Sequence, residues 1–210
     1  MRSIIRQYNF ERVFVCFRKH SITTPLETFG TNRYKTLIST ILSSRTKDET
    51  TLQASKRLFK KAANIKKLGQ LSQQEIRKLI YPVGFYRTKA KHLKSLTNIL
   101  TNKFKGKIPK KRKELIKLPG VGRKTANLVL NRAFAIPAIA VDTHVHKISN
   151  LLGWVNTNTP EKTEKELVKI LPKKYWSEIN RLFVSIGRQH TTKKNLEKFL
   201  KNNDLLQQTK

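Results

Sequence analysis

Residues 110–133 carry the most specific pattern in this chain, and they read KKRKELIKLPGVGRKTANLVLNRA. A short basic helix and a longer helix with regularly spaced apolar residues are predicted on the two sides of a Pro-Gly-Val-Gly turn. We expect Pro119 to end the first helix, and Gly120 and Gly122 to adopt backbone angles closed to other residues. The segment therefore predicts two helices joined by a glycine hairpin.

The turn of this hairpin is predicted to bind an anion. Its N–H groups lie beside the N-terminus of the second helix, where amides and the helix dipole favour negative charge. Lys117 and Arg123 flank the turn and would help to hold a phosphate without reading bases. The plainer alternative is a helix–helix turn that happens to be basic.

A second candidate site follows in residues 140–154, which read AVDTHVHKISNLLGW. Asp142 lies 18 residues after Lys124 and opens an apolar stripe at helical spacing, so capping that helix is its simplest role. The chain has two other aspartates, Asp48 and Asp204, which leaves few candidates for a catalytic aspartate. A His-x-His pair follows Asp142, but without further ligands nearby in sequence it does not define a metal site.

The chain is strongly basic, with 45 Lys+Arg against 13 Asp+Glu in 210 residues and a formal net charge of +32. Residues 50–113 contain 19 Lys or Arg and a single acid, Glu75, interleaved with apolar residues at helical spacing. A folded basic surface of this kind attracts polyanions by counterion release, and nucleic acid is the commonest intracellular polyanion. An anionic membrane surface and a merely solvated, lysine-rich composition are the alternatives.

The apolar pattern is helical nearly throughout and predicts about ten short helices and no strand. Ser72 with Glu75 forms a capping box, and Thr159 followed by Pro160 is a typical helix start. The longest apolar stretch, residues 133–141, is too short to span a bilayer, so an integral membrane protein is not expected.

The ends of the chain and its prolines suggest how the helices are grouped. Residues 1–20 faintly resemble a transit peptide, but a first amphipathic helix is the favoured interpretation. Proline interrupts the helical pattern at residues 24–25 and 136–138. If the chain forms two helical lobes, the middle segment makes one and the two ends pair to make the other.

Four strings together resemble one known family. They are the hairpin, residues 141–144 (VDTH), residues 37–51 (LISTILSSRTKDETT) and residues 83–93 (VGFYRTKAKHL). In order and spacing they resemble the endonuclease III branch of the helix-hairpin-helix DNA glycosylases, over about residues 25–188. The resemblance implies an all-α fold of two helical lobes with duplex DNA bound across the cleft between them. A six-helix barrel with the hairpin would span residues 25–136, and residues 1–24 with 137–210 would form the other lobe.

The resemblance also implies the catalytic residues. Lys124 falls on the family's nucleophilic lysine and Asp142 on its partner aspartate. A helix N-terminus and neighbouring Arg123 would favour the deprotonated, nucleophilic amine. The amine would attack the sugar C1′, expel the damaged base and leave a Schiff base, while Asp142 assists proton transfer. β-Elimination then cuts the strand. A solvated lysine on a basic helix is the alternative for Lys124.

The remaining site residues are assigned to DNA contact by their places in the matched strings. Extrusion of a nucleotide requires a group that fills the gap. Phe85 lies where the family places an apolar wedge, commonly Leu, and Arg45 lies where many members carry Gln against the opposite strand. The other predicted DNA contacts are Lys117, Gly120, Val121, Gly122, Arg123, Thr125 and His144.

The C-terminus departs from the family pattern. Members commonly end in a four-cysteine loop that holds an iron–sulfur cluster, whereas Cys16 is the one cysteine of this chain. We therefore expect no iron–sulfur cluster, no metal and no other cofactor. Leu196, Phe199 and Leu200 stand at helical spacing and predict a short helix in place of the cluster loop.

The resulting prediction is a bifunctional DNA glycosylase and abasic-site lyase that removes damaged, oxidised pyrimidines in base excision repair. It is expected to act as a monomer on duplex DNA with a damaged base or an abasic site, inside the cell where the genome is kept. The alternatives are a specialised abasic-site lyase, a mismatch or oxidised-purine glycosylase, a non-catalytic DNA-binding protein and, more distantly, a membrane-surface protein.

Overall fold

The protein is all-helical over residues 8–23 and 25–206, the part of the chain that the computed structural model describes. Its α-helices are α1 (Phe10–His20), α2 (Arg33–Ser43), α3 (Asp48–Lys61), α4 (Ile65–Gln70), α5 (Gln73–Ile80), α6 (Tyr86–Phe104), α7 (Arg112–Leu115), α8 (Arg123–Phe134), α9 (Thr143–Leu151), α10 (Pro160–Ile170), α11 (Ile179–Gln189) and α12 (Lys193–Asn202). Two 3₁₀ helices span Pro25–Phe29 and Lys173–Tyr175. The all-α prediction is confirmed, with two more α-helices than the ten expected and no strand in the described ranges.

Several helices begin where side chains satisfy their first amides. At the start of α5 the Ser72 hydroxyl accepts from the Glu75 amide at 3.1 Å, and the Glu75 carboxylate accepts from the Ser72 amide at 2.8 Å. This is the predicted capping box. At the start of α10, Thr159 accepts from the Lys162 amide at 3.2 Å, with Pro160 as the first helical residue.

The chain divides into two compact units, Thr24–Ala138 and Met1–Thr23 with Ile139–Lys210. In Thr24–Ala138, α2 packs against α3 and α8, and α6 packs against α4 and α5. Their buried faces supply one apolar core. Fully buried members of that core include Leu37, Ile38, Leu58, Leu68, Ile76, Ile80, Leu93, Leu96, Ala126 and Val129.

The other unit has an aromatic core. Helix α11 packs against α1 and α9, and α9 also packs against α10. The Phe14 ring stacks on Tyr175 at 4.1 Å between centroids and contacts Phe183 at 6.0 Å. Trp154 donates its indole N–H to the Asn9 side chain at 2.9 Å, so this buried polar group is paired.

The C-terminal helix that the sequence predicts is α12. Leu196 and Leu200 are buried in the aromatic core, and Phe199 packs partly buried beside them. The Phe199 ring stacks on His190 at 4.5 Å and meets the edge of His20 at 5.4 Å. Helix α12 therefore adds its own apolar face to this core.

The N-terminal amphipathic helix corresponds to α1, which buries Val13, Phe14 and Phe17. Residues 1–7, which belong to the alternative interpretation as a transit peptide, lie outside the described residues. No helix in the described part of the chain combines the length and the apolar character needed to cross a bilayer.

Candidate active site

The hairpin of residues 110–133 is present but begins differently from the prediction. Helix α7 ends at Leu115, so Pro119 does not end it. The chain continues in tight turns, in which the Leu118 amide donates to the Leu115 carbonyl at 3.0 Å and the Val121 amide donates to the Leu118 carbonyl at 3.1 Å. The Val121 amide is thus used within the turn, and its side chain is buried in the core.

The two glycines of the turn differ in their backbone. Gly120 has φ +79°, and an added Cβ would lie 3.2 Å from His92 Nδ1, so the predicted need for glycine is correct here. Gly122 has φ −90° and ψ −178°, which any residue can adopt, and an added Cβ would meet nothing within 4 Å. The predicted special angle of Gly122 is wrong, because the extended residue before a helix needs none.

Helix α8 begins at this open position. Gly122 is its N-cap and provides no side-chain cap, and Arg123 and Lys124 occupy the first turn as exposed residues. Thr125 is half-buried, and Lys117 is exposed on the turn before the helix. Cations at a helix N-terminus oppose the helix dipole, so this end of α8 suits an anionic ligand better than it suits the isolated helix.

Helix α9 begins with the predicted aspartate. One carboxylate oxygen of Asp142 accepts from the His144 amide at 3.0 Å and from the Val145 amide at 2.9 Å. The structural role that the sequence suggests for Asp142, helix capping, is therefore confirmed. Two hydrogen bonds fix the position of a carboxylate that is half-buried.

The histidines after Asp142 have structural neighbours. An added Cβ on Gly187 would lie 2.2 Å from His144 Nδ1, so the imidazole packs directly on the glycine backbone of α11. His146 Nδ1 lies 2.6 Å from the Thr163 hydroxyl. Within the described ranges no three His, Cys, Asp or Glu side chains form a group that could hold a metal ion.

Arg45 and Phe85, the wedge pair, are brought together from two loops. Arg45 lies after α2 and Phe85 directly before α6, and the Arg45 guanidinium carbon lies 5.5 Å from the centre of the Phe85 ring. Both residues have left-handed backbones, with φ 51° for Arg45 and 56° for Phe85. Phe85 is 60% exposed, which is unusual for a large apolar side chain.

The wedge pair and the hairpin border one cavity. It has a volume of about 240 Å³ and is lined by Arg45 and Phe85 on one side and by Gly120 of the turn on another. His92 and Lys89 of α6 also line it. The structure therefore gathers three predicted DNA contacts, Arg45, Phe85 and Gly120, around one concave surface.

Sequence reasoning missed Lys89 and His92 in this region. Lys89 lies on the apolar stripe of α6, three residues after Tyr86 and four before Leu93, where a lysine is out of place. The sequence alone therefore indicates that Lys89 is an unusual lysine on a buried helix face. His92 gave no comparable signal, because its contact with Gly120 depends on how the hairpin folds back.

The predicted catalytic pair is divided between the two units. Lys124 belongs to Thr24–Ala138, as do Arg45 and Phe85, whereas Asp142 and His144 follow Ile139 in the other unit. The cooperation of Lys124 with Asp142 stays a prediction.

Most of the basic residues in 50–113 lie on the surface. Of the 19 Lys and Arg residues there, Lys89 is buried, Arg77 and Lys94 are half-buried and the others are exposed. The segment is thus a folded helical surface with a strong positive potential, of the kind that attracts polyanions.

These features define a helical protein with a glycine hairpin, a basic surface and a lysine at an open helix N-terminus. Residues 38–173 match the model of the HhH-GPD superfamily of base excision DNA repair proteins. The chain is 48% identical to endonuclease III of Thermotoga maritima over 82% of each chain. It is 46% identical to endonuclease III-like protein 1 of Mus musculus over 75% of this chain and 53% of the mouse protein, about half its length.

A structural comparison agrees with these sequence matches. A solved structure described as a trapped endonuclease III–DNA covalent intermediate matches with a TM-score of 0.75 and 33% identity, over 89% of each chain. The chain belongs to the HhH-GPD superfamily of base excision DNA repair proteins. Its similarity to endonuclease III identifies it as a DNA glycosylase with lyase activity, the enzyme class predicted from the sequence.

Proposed function

We propose that the protein is a bifunctional glycosylase and abasic-site lyase that removes oxidised pyrimidines from duplex DNA, acting as a monomer where the genome is kept. The observation that carries the proposal is the position of Lys124. Its side chain is exposed in the first turn of α8, at a helix N-terminus that has no side-chain cap. A phosphate bound there would place a sugar within reach of a lysine amine.

In the proposed reaction the Lys124 amine attacks C1′ of the damaged nucleotide. The N–C1′ bond forms, the glycosidic bond breaks, and the base leaves with a proton. Opening of the sugar ring then gives a Schiff base between Lys124 and C1′. Loss of a proton from C2′ expels the 3′ phosphate, which cuts the strand by β-elimination.

Asp142 is proposed as the carboxylate that serves this reaction. The two amide hydrogen bonds that cap α9 also fix the carboxylate, so its orientation is set before substrate arrives. In this position it would move protons during base release and ring opening, and stabilise positive charge on the sugar.

The wedge pair is proposed to open the duplex. Flipping a nucleotide costs a few kcal/mol and leaves a gap in the stack. The exposed Phe85 ring would fill the gap, and the adjacent Arg45 guanidinium would contact the opposite strand. The surrounding basic surface provides phosphate contacts that hold the duplex without reading its sequence.

The test is borohydride trapping on duplexes that contain an abasic site or an oxidised thymine. The wild-type protein is expected to form a covalent complex with both duplexes, and Lys124→Ala is expected to form none. Lys117→Ala is the matched control, because it removes an equally exposed lysine from the same hairpin. We expect Lys117→Ala to bind duplex DNA more weakly and still to form the covalent complex.

Two results would contradict the proposal. Base release without any covalent complex would indicate a monofunctional glycosylase. Tight, salt-dependent binding of duplex DNA without release or cleavage would indicate a protein that only binds DNA. Parallel assays on duplexes with a mismatch, an oxidised purine or an abasic site alone define the substrate range.

A further inference from the structure

Lys89 departs from the pattern of the basic segment, because its side chain is buried. It is 6% exposed, whereas nearly all other Lys and Arg residues of residues 50–113 lie on the surface. Taking an ammonium group out of water costs several kcal/mol unless hydrogen bonds replace the lost hydration. A buried lysine that costs this much calls for a structural reason.

The Lys89 ammonium is bound by the end of α2 and the loop that follows it. Its Nζ donates to the Leu42 carbonyl at 2.7 Å, to the Ser44 carbonyl at 2.5 Å and to the Thr46 hydroxyl at 3.2 Å. Carbonyls at a helix C-terminus carry partial negative charge and favour a cation. The three oxygens lie on both sides of Arg45 in the chain, so Lys89 fixes the loop that presents this arginine.

The Thr46 hydroxyl extends this contact to the loop that presents Phe85. It accepts from the Gly84 amide at 3.1 Å. An added Cβ on Gly84 would lie 2.4 Å from the Arg45 carbonyl oxygen, so the two loop backbones are in direct contact. Lys89, Thr46 and Gly84 therefore join the two loops into one unit.

The joined loops hold unfavourable backbone conformations. A left-handed backbone is unfavourable for a residue with a side chain, and the wedge pair contains two such residues. Such strain persists only where the surroundings determine the conformation, and it is commonly found at functional sites.

Burial lowers the pKa of Lys89 to about 8, so most Lys89 side chains still carry the charge at neutral pH.

We propose that Lys89 is a positioning residue for base flipping. Together with Thr46 it holds Arg45 and Phe85 as one preformed wedge, so that the loops need no ordering when the wedge enters the duplex. Lys89 itself contacts no reacting atom. The inference rests on the proposed function of the wedge pair and deepens it.

The test compares Lys89→Met with Lys94→Met. Methionine keeps the apolar stem and removes the ammonium. Lys94 is the matched control, because it also lies on α6 and donates to two carbonyls, Gly69 at 2.5 Å and Leu71 at 2.8 Å, which belong to the C-terminal end of α4. General destabilisation of α6 would affect both variants alike.

The decisive readout is the ratio of single-turnover rates on paired and unpaired substrates. An oxidised thymine in a duplex must be extruded, whereas the same lesion in an unpaired bubble needs no wedge. We expect Lys89→Met to excise the paired lesion about 30-fold more slowly than wild type and the unpaired lesion within about 2-fold, because small misplacements of positioning groups have effects of this size. Lys94→Met should affect both substrates equally.

A second variant keeps the test valid if Lys89→Met does not fold. Thr46→Val removes the shared hydroxyl and should slow only the paired substrate, and Thr46→Ser should restore the rate. Equal slowing of both substrates by Lys89→Met, or a Lys94→Met variant with the same selectivity, would overturn the inference.

A direct assay of flipping separates this inference from the proposed function. The fluorescence of 2-aminopurine opposite the lesion reports unstacking without requiring chemistry, and Lys124→Ala serves as the background. If Lys124→Ala unstacks the duplex and the double variant Lys124→Ala/Lys89→Met does not, the inference is supported. Opening retained in the double variant overturns the inference alone, and no opening in Lys124→Ala or wild type overturns the proposed wedge as well.

Discussion

Helix α8 begins at a glycine without a side-chain cap and carries two cations in its first turn, whereas α9 begins at an aspartate that caps two amides. Replacing a side-chain cap costs about 1 kcal/mol with alanine but only a few tenths of a kcal/mol with glycine, and cations at an N-terminus each cost roughly 0.3–1 kcal/mol. Both helices begin at residues that are common at N-caps, but the first turn of α8 carries cations where the helix dipole favours anions. This arrangement is the one expected if the start of α8 binds the anionic ligand proposed above.

The largest effect is expected from Asp142→Asn, which separates the two roles of this residue. Asparagine caps helices as well as aspartate does, so the free energy of unfolding should change by less than about 0.5 kcal/mol. The loss of the carboxylate should slow single-turnover base release by about 100-fold or more. Chemical denaturation and rapid-quench assays measure the two effects.

Asp142→Ala is the control for this prediction. It should lose about 1 kcal/mol of stability in addition to activity. An Asp142→Asn protein with normal activity would show that Asp142 only caps α9.

Lys89 is a cation at the opposite end of a helix, where it contacts carbonyls of α2 instead of amides. Its pKa is lowered by burial to about 8 from 10.5. Between these values the unfolded chain binds the proton and the folded chain does not, so stability rises with pH. From pH 8 to pH 10.5 wild type should gain up to about 3 kcal/mol of unfolding free energy relative to Lys89→Met. Chemical denaturation of wild type and Lys89→Met across this pH range tests the expected gain. If the unfolding free energies of the two proteins changed with pH in parallel, the prediction would be contradicted.

A cap can also be added to α8, with a smaller effect. The backbone of Gly122 accepts any residue, and its surroundings have room for a side chain. Gly122→Asp should stabilise the protein by about 0.5–1 kcal/mol and weaken duplex binding about 10-fold. Gly122→Ser, a neutral cap, should have a weaker effect on binding. Tighter binding by Gly122→Asp would contradict an anion site at this helix end.

The smallest effect on DNA binding is expected from an ordinary cap in the same unit. Ser72→Ala removes the capping box of α5 and should cost about 1 kcal/mol of stability. Duplex affinity and its dependence on salt should stay unchanged, because Ser72 lies outside the proposed site. A changed salt dependence would show that loss of any cap in this unit disturbs DNA binding.

Side-chain caps are the local feature that the sequence predicts best. The caps at Ser72, Thr159 and Asp142 depend on residues two or three positions away and were predicted correctly. The predictions for the end of α7 and for Gly122 are wrong although they too concern local structure. Helix α7 ends at Leu115, before Pro119 is reached, and Gly122 has the extended backbone of an ordinary N-cap residue.

Contacts between residues far apart in sequence cannot be predicted from local sequence patterns. The Lys89 ammonium binds carbonyls more than 40 residues away in sequence, so its role is visible only in the fold. The family resemblance predicts that Arg45 and Phe85 act as a wedge pair. The structure adds the cation–π contact between the two side chains and the left-handed backbone of each residue. The roles of Lys124 and Asp142 came from the same resemblance.

Peptide mapping by mass spectrometry of the borohydride-reduced complex with abasic DNA shows whether the lysine at the N-terminus of α8 is the nucleophile. We expect the sugar remnant to be attached to Lys124. Attachment to another lysine of the basic surface, such as Lys117, would contradict this expectation.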